Sequence, residues 1–276
     1  MTDAPAPMTR VLITGAGGTI GRVLRDRFRG RYALLRLGDR RAQAPAGPGE
    51  SVVALDVRDP AALDAALDGI DCIVHLAGVP GSASWPETLA ANIDGTYQVF
   101  DAARRHGVRR VVYASSNHAV GFHRRETTLD AMSAPRPDSP YGATKVFGEA
   151  LGRLCADKYG LSVACLRIGT FRTPDRPTEP RQLSSWISHR DMAQLVGRCI
   201  DHAAYHYLVA YGVSRNTRNR WSNAAVAFLG YEPQDDAEAF AAEILAAATP
   251  EDPIAAQFHG GFLCPIGFVG DTRRID

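Results

Sequence analysis

Short apolar runs alternate with longer amphipathic stretches along most of this chain. Val11-Leu12-Ile13 predicts a buried strand, followed by a glycine-rich turn and a helix over 19–28. Further strands are predicted over 33–37 (closing at Gly38-Asp39), 52–55, 72–76, 110–115, 162–168 and 207–211. Helices are predicted over 60–67, 87–106, 140–159 and 191–202, the third opened by Pro140 and the last by Asp191 as N-cap. Strands separated by helices of this length require crossover connections. The pattern therefore implies a Rossmann-type α/β fold, a doubly wound parallel sheet with helices on both faces. After Ile168 the period lapses into a proline-rich loop up to Trp186, and the chain beyond 215, with a further helix over 236–248, reads as a small C-terminal substrate cap. The expected division is a disordered tail over 1–8, a dinucleotide-binding domain over 9–168 rejoined by 188–215, and a cap from 169–187 and 216–276.

Composition narrows the class of protein. The chain has 276 residues, is 45% hydrophobic and 22% charged, and carries a formal charge of +1, which removes the electrostatic case for a nucleic acid or an anionic membrane as partner. No apolar stretch approaches the ~20 residues of a membrane span. Five scattered cysteines without a CxxC spacing suggest buried free thiols in a reducing compartment, so the expected location is cytoplasmic. No metal site is expected. The oligomeric state stays open between a monomer and a homo-oligomer.

The first candidate site is the turn "TGAGGTIG", residues 14–21, between the first strand and the first helix. Gly15, Gly18 and Gly21 let backbone N–H groups approach a pyrophosphate at the positive end of a helix begun by Thr19 and Ile20. Asp39, at the end of the second strand, is placed to take the adenosine ribose hydroxyls and disfavour a 2′-phosphate, which points to NAD. Arg40 and Arg41 follow directly and would favour the opposite choice, so NADP stays open. Asp56 is read either as an acceptor for the adenine amino group, with the Val57 backbone beside it, or as a helix cap. Leu76, Ala77 and Gly78 end the fourth strand with mostly small residues, where backbone must pass close to a cofactor. His75 reads as a packed strand residue.

The second candidate site is "SPYGATK", residues 139–145. Tyr141 and Lys145 are four apart and share a helix face. A neighbouring ammonium and a positive nicotinamide ring would favour the phenolate, which can then take a hydroxyl proton while hydride leaves the same carbon. Lys145 would also hold the nicotinamide ribose. Ser116, at the end of the fifth strand, is the expected third member, since alternation points Ser115 elsewhere.

These residues, together with Asn92 in the helix after the fourth strand, resemble the extended short-chain dehydrogenase/reductase family over nearly the whole chain. The resemblance implies that Tyr141, Lys145 and Ser116 are catalytic and that Asn92 belongs to the cofactor site. It is closer to the bacterial uronate dehydrogenases, through "SSNH", "RPDSPYGATKVFGE", "LRIG", "RQLSSWISHRD" and "WSNAAVAFLGY", several of which lie outside the generic cofactor core. That likeness implies NAD-dependent oxidation of glucuronate or galacturonate at C1 to the aldarolactone. Arg181 would clamp the carboxylate, with Arg172 and Arg176 as alternatives in the same loop, and Asn117, His118 and Thr170 would meet the sugar or the nicotinamide amide. In one place the chain departs from these relatives: Pro80 stands where they have a serine, leaving only backbone groups there. A nucleotide-sugar epimerase or dehydratase is the rival enzyme, and a cofactor-sensing Rossmann regulator is the rival without catalysis.

Overall fold

The computed structural model describes residues 7–275. Seven strands form one parallel sheet in the order β3-β2-β1-β4-β5-β6-β7: β1 (Arg10–Thr14), β2 (Leu34–Asp39), β3 (Glu50–Ala54), β4 (Cys72–His75), β5 (Arg110–Ser116), β6 (Ser162–Ile168) and β7 (Tyr207–Gly212). The order reverses between β1 and β4, which opens a crevice at the carboxyl ends of these strands. The central strands are apolar throughout because both sheet faces are covered: Val11, Leu12 and Ile13 are fully buried.

The helices follow from capping and period. Helix α1 (Thr19–Phe28) buries Gly21, Leu24 and Phe28, a three-and-four spacing that puts one stripe on the sheet. With α7 (His189–Asp201) it covers one face through Leu24, Phe28, Met192, Leu195 and Val196. Helices α2 (Pro60–Leu67), α4 (Gly95–Arg105) and α5 (Pro140–Tyr159) contribute Leu63, Val99, Phe100 and Cys155 to the core on the other face. Asp59 caps α2 by accepting from the Ala61 and Ala62 N–H groups, an interaction worth about 1 kcal/mol. Ser139 caps α5, and Gly160 ends it in the left-handed conformation (φ 72°).

Several boundaries differ from the sequence expectation. The helix expected over 87–106 is broken. A short α3 (Trp85–Thr88) leads into a π-helical stretch, Leu89–Asp94, and then into α4, with the Gly95 N–H bonded to the Ala90 carbonyl five residues back. Helix α7 is capped by Ser188, whose hydroxyl accepts from the Asp191 N–H, and not by Asp191. The Asp191 carboxylate is fully buried and accepts from Ser214 and from the Gln234 and Asp235 N–H groups, so it ties α7 to the chain that follows β7. The loop after Ile168 contains a short α6 (Gln182–Ser185). The helix expected over 236–248 is a 3-10 turn, Ala237–Phe240, followed by α8 (Ala241–Ala246).

The tail expected over 1–8 lies outside the described residues up to position 6. Met8 packs against the α1-side core, and the Pro7 carbonyl accepts from Arg109, so the ordered chain begins earlier than expected. All five cysteines are buried and free. Among the described residues no helix is long and apolar enough to cross a membrane.

Candidate active site

Three adjoining cavities form one trough along the carboxyl edge of the sheet. The first, about 310 Å³, is walled by Gly15, Gly18, Asp39, Asp56, Val57 and Leu76–Gly78, with Arg40, Arg41 and Arg58 at its rim. The second, about 400 Å³, takes in Thr19, Ile20, Gly21, Ser116, Tyr141 and Lys145. The third, about 370 Å³, is lined by Asn117, His118, Thr170, Arg172, Arg181 and Phe262. Successive cavities share walls at Gly78 and Val79, then at Pro80, Ser116 and Tyr141.

The glycine turn is built for close approach. Gly15 has φ +72°, and a Cβ there would lie 2.7 Å from the Ala77 nitrogen; at Gly21 it would lie 2.6 Å from Ala16. The Asp39 carboxylate is fixed before any ligand arrives. Its oxygens accept from the Gly17 N–H at 2.9 Å and the Arg41 N–H at 2.8 Å. Burial pushes the carboxyl up, but these bonds and the Arg41 guanidinium outweigh it and hold the group below its ordinary value. Asp56 is not a helix cap, since Asp59 has that role. Its carboxylate is paired with Arg58, whose side-chain hydrogen bonds hold it down at about 2, and it faces the first cavity.

Asn92 stands apart from the trough. It is 1% exposed; its Oδ1 accepts from the Val79 N–H at 2.8 Å, and its Nδ2 donates to the Val79 carbonyl and to Thr144 Oγ1. Asn92 therefore clamps the loop after β4 to α5. The π-helical turn presents it there, as such turns often serve a local requirement at a site. His75 is packed between Thr14 and Thr96, and burial drives its ring down to about 3, so it is a neutral structural residue as expected.

At the centre, Ser116 ends β5 and Tyr141 and Lys145 lie one turn apart on α5. Ser115 points the other way and donates to Glu149 at 2.6 Å. Lys145 Nζ donates to the Ala114 carbonyl at 2.9 Å and lies 5.5 Å from the Tyr141 ring centroid. Burial lowers the Lys145 ammonium to about 8. Burial also raises the Tyr141 hydroxyl above its ordinary value, and the hydrogen bond with Ser116 only partly opposes this. The sequence argument for a lowered tyrosine pKa is thus not met by the protein's own groups.

At the third cavity, Arg181 Nε donates to the His259 carbonyl at 2.8 Å. The Asn117 amide, in the orientation that satisfies both neighbours, donates to the Ile168 carbonyl at 3.1 Å and accepts from the Arg181 guanidinium. Arg181 has no carboxylate partner among the described residues, whereas Arg176 is paired with Glu243. Arg172 lines the same cavity from its exposed rim. Thr170 Oγ1 is engaged with Ser185 at 2.8 Å, so it forms wall more than free donor. Pro80 offers little even through its backbone, because its carbonyl accepts from the Ala83 N–H.

Sequence reasoning missed the contribution of the chain's end. Phe262 and Leu263 close the third cavity opposite Gly81, and Phe262 meets the His118 ring edge-on at 5.9 Å. Gly261, at φ +61°, leaves room for Arg181: a Cβ there would be 2.3 Å from its Cδ. The paired glycines at 260 and 261 were the available signal. Asp138, which holds His118, was also overlooked.

A glycine turn at the sheet's reversal point, an aspartate closing the second strand and a Ser/Tyr/Lys group on β5 and α5 define a nucleotide-cofactor enzyme class. Residues 11–200 match the model of the NAD dependent epimerase/dehydratase family, and the chain belongs to that family. Within it, the chain is 39% identical to the uronate dehydrogenase of Pseudomonas putida, over 93% of this chain and 96% of that protein. It is also 39% identical to the NAD-dependent glucose-6-phosphate dehydrogenase of Haloferax volcanii, over 84% and 96%. The crystal structure of uronate dehydrogenase from Agrobacterium tumefaciens superposes with a TM-score of 0.88 at 39% identity, over 93% of this chain and 97% of that one.

Proposed function

We propose that this protein oxidises a hexuronic acid, glucuronate or galacturonate, at C1 to the aldarolactone with NAD as cofactor. The carrying observation is a trough that holds Ser116, Tyr141 and Lys145 at its middle and, at one end, an arginine that forms no ion pair with a carboxylate among the described residues. An epimerase or dehydratase acting on a nucleotide sugar needs room for a second nucleotide. A uronate needs a cation at the distance of a carboxylate from the reacting carbon.

The cofactor fits the residues present. Gly15, Gly18, Thr19, Ile20 and Gly21 would cradle the pyrophosphate, Asp39 the adenosine ribose, and Asp56 and Val57 the adenine. Leu76, Ala77 and Gly78 would form the wall, and Lys145 would hold the nicotinamide ribose. When bound, NAD supplies the hydride acceptor. Ser116 orients the C1 hydroxyl, and Tyr141 takes its proton once its hydroxyl has ionised. Lys145, anchored on the Ala114 carbonyl, keeps a cation beneath the tyrosine ring. Arg181 fixes the carboxylate bidentately, and Asn117 and His118 contact sugar hydroxyls. In this reading residues 169–187 and those from 216 onward act as a cap over the dinucleotide-binding core. Asn92 contributes by holding the Val79 backbone in place.

NADH absorbance with a panel of uronic acids, the matching neutral sugars and glucose 6-phosphate tests the reading. Turnover confined to the uronates supports it. Turnover confined to the sugar phosphate would transfer the site to that class of anion. Cofactor choice gives a separate prediction. Because a fixed Asp39 carboxylate would face a 2′-phosphate, NAD should be preferred, and Asp39→Ala should narrow the NAD/NADP preference by about tenfold or more. A parent enzyme with higher kcat/KM for NADP would show that Arg40 and Arg41 dominate.

A further inference from the structure

Asp138 contacts His118, which lines the third cavity, and has no role in the mechanism above. Its side chain is completely buried, and its Oδ2 is 2.6 Å from His118 Nδ1. Its Oδ1 accepts from the Ser139 hydroxyl at 2.7 Å, while that hydroxyl accepts from the Gly142 N–H at the start of α5. The backbone leaves a slot for this carboxylate: a Cβ at either Gly121 or Gly260 would fall 1.8 Å from Oδ2, and the Gly260 N–H bonds to the Gly121 carbonyl at 2.8 Å across it. The His118 ring meets Tyr141 edge-on at 5.9 Å, and no protein group among the described residues engages its Nε2.

We infer that Asp138 is a positioning residue that sets the tautomer of His118, and through it the hydroxyl pattern the sugar site accepts. This rests on the reading of the third cavity as a sugar site. A carboxylate is an acceptor only, so Nδ1 must carry the proton it shares with Asp138. The neutral ring then turns the bare Nε2 lone pair toward the cleft, where it accepts from a sugar O–H. Arg181 lines the same cavity and can offer only N–H donors. His118 thus adds the complementary acceptor, and a hydroxyl epimer that cannot reach it leaves a polar atom without a partner.

Asp138→Asn tests this with little change of shape. The Ser139 hydroxyl, itself oriented by the Gly142 N–H, keeps the amide oxygen at the Oδ1 position, so the amide N–H₂ faces His118 Nδ1. Nδ1 must then accept, and the proton moves to Nε2. ¹⁵N imidazole spectra, with the His118 signals identified by their loss in His118→Gln, should show Nδ1–H in the parent and Nε2–H in Asp138→Asn. The KM for uronate should rise about ten- to hundredfold, with kcat within a few-fold and NAD affinity unchanged. Ser139→Ala, which removes the helix cap but leaves the carboxylate on His118, should keep the parental tautomer and KM.

A parent spectrum with the proton on Nε2, or on both nitrogens, overturns the proposal whether or not Asp138→Asn folds. So does a parental KM in a folded Asp138→Asn, or an equal rise in Ser139→Ala, which would mean that the carboxylate acts through the helix. If the parent turns over no uronate, the functional reading fails, while the tautomer measurement still decides the role of Asp138.

Discussion

Tyr141→Phe is expected to lose about a hundred- to ten-thousandfold in kcat while still binding NAD. The change removes one oxygen and leaves the ring, which packs between Lys145 and His118. None of the groups around the pyrophosphate or the adenosine touches that oxygen. What disappears is the acceptor for the C1 hydroxyl proton, and Ser116 cannot replace it because an aliphatic hydroxyl is far harder to ionise. Steady-state NADH production, with thermal shift in NAD as the binding control, checks both halves. Turnover within a few-fold of the parent would move the base elsewhere in the trough.

Arg181→Ala is expected to lower kcat/KM toward glucuronate or galacturonate by about thirtyfold to several thousandfold, the range for a charge-assisted pair broken in a partly desolvated pocket. The guanidinium also supports the His259 carbonyl and the Asn117 amide, so the variant loosens the cavity wall as well as removing charge. Arg181→Lys separates the two effects. An ammonium restores the charge but not the planar fork, so recovery should be partial. NAD affinity should stay near the parental value, because the first cavity shares no wall with Arg181. Kinetics on glucuronate and glucose with parent and variants measure the effect. An unchanged ratio between the two sugars in Arg181→Ala would refute the carboxylate assignment and direct attention to Arg172.

The sheet and the nucleotide end of the trough were legible in the sequence because both depend on local rules. An apolar triplet such as Val11–Ile13 followed at once by a glycine turn reads as a central strand, and Gly18 and Gly21 are required by backbone contacts with residues 15 and 16. Ser116 was separable from Ser115 by alternation alone. What escaped depended on partners distant in the chain. Ser188 and Asp191 are both good capping residues in "SHRD", and the choice between them is made by Ser214 and the 234–235 backbone, which take the Asp191 carboxylate. The π-helical turn at 89–94 inserts its irregularity without disturbing the apolar pattern on either side. Asn92 was assigned to the cofactor site by resemblance, and its amide bonds to the Val79 backbone and Thr144. Phe262 and Leu263 sit in chain without period, and the glycine pair before them marks a close approach without telling that they close a pocket with Gly81.

That last closure sets an order in which the molecule becomes selective. The walls of the nucleotide end come from residues 15–91, so they are all present early in synthesis, whereas the sugar end waits for residues 262 and 263. The two ends of the trough therefore draw on separate stretches of chain. The same separation frees the final segment to drift: a substitution at 262 or 263 reshapes what the sugar meets and leaves the adenosine end untouched. The last turns of the chain can therefore vary one wall of the third cavity while the walls from residues 116–118 and 169–182 stay as they are.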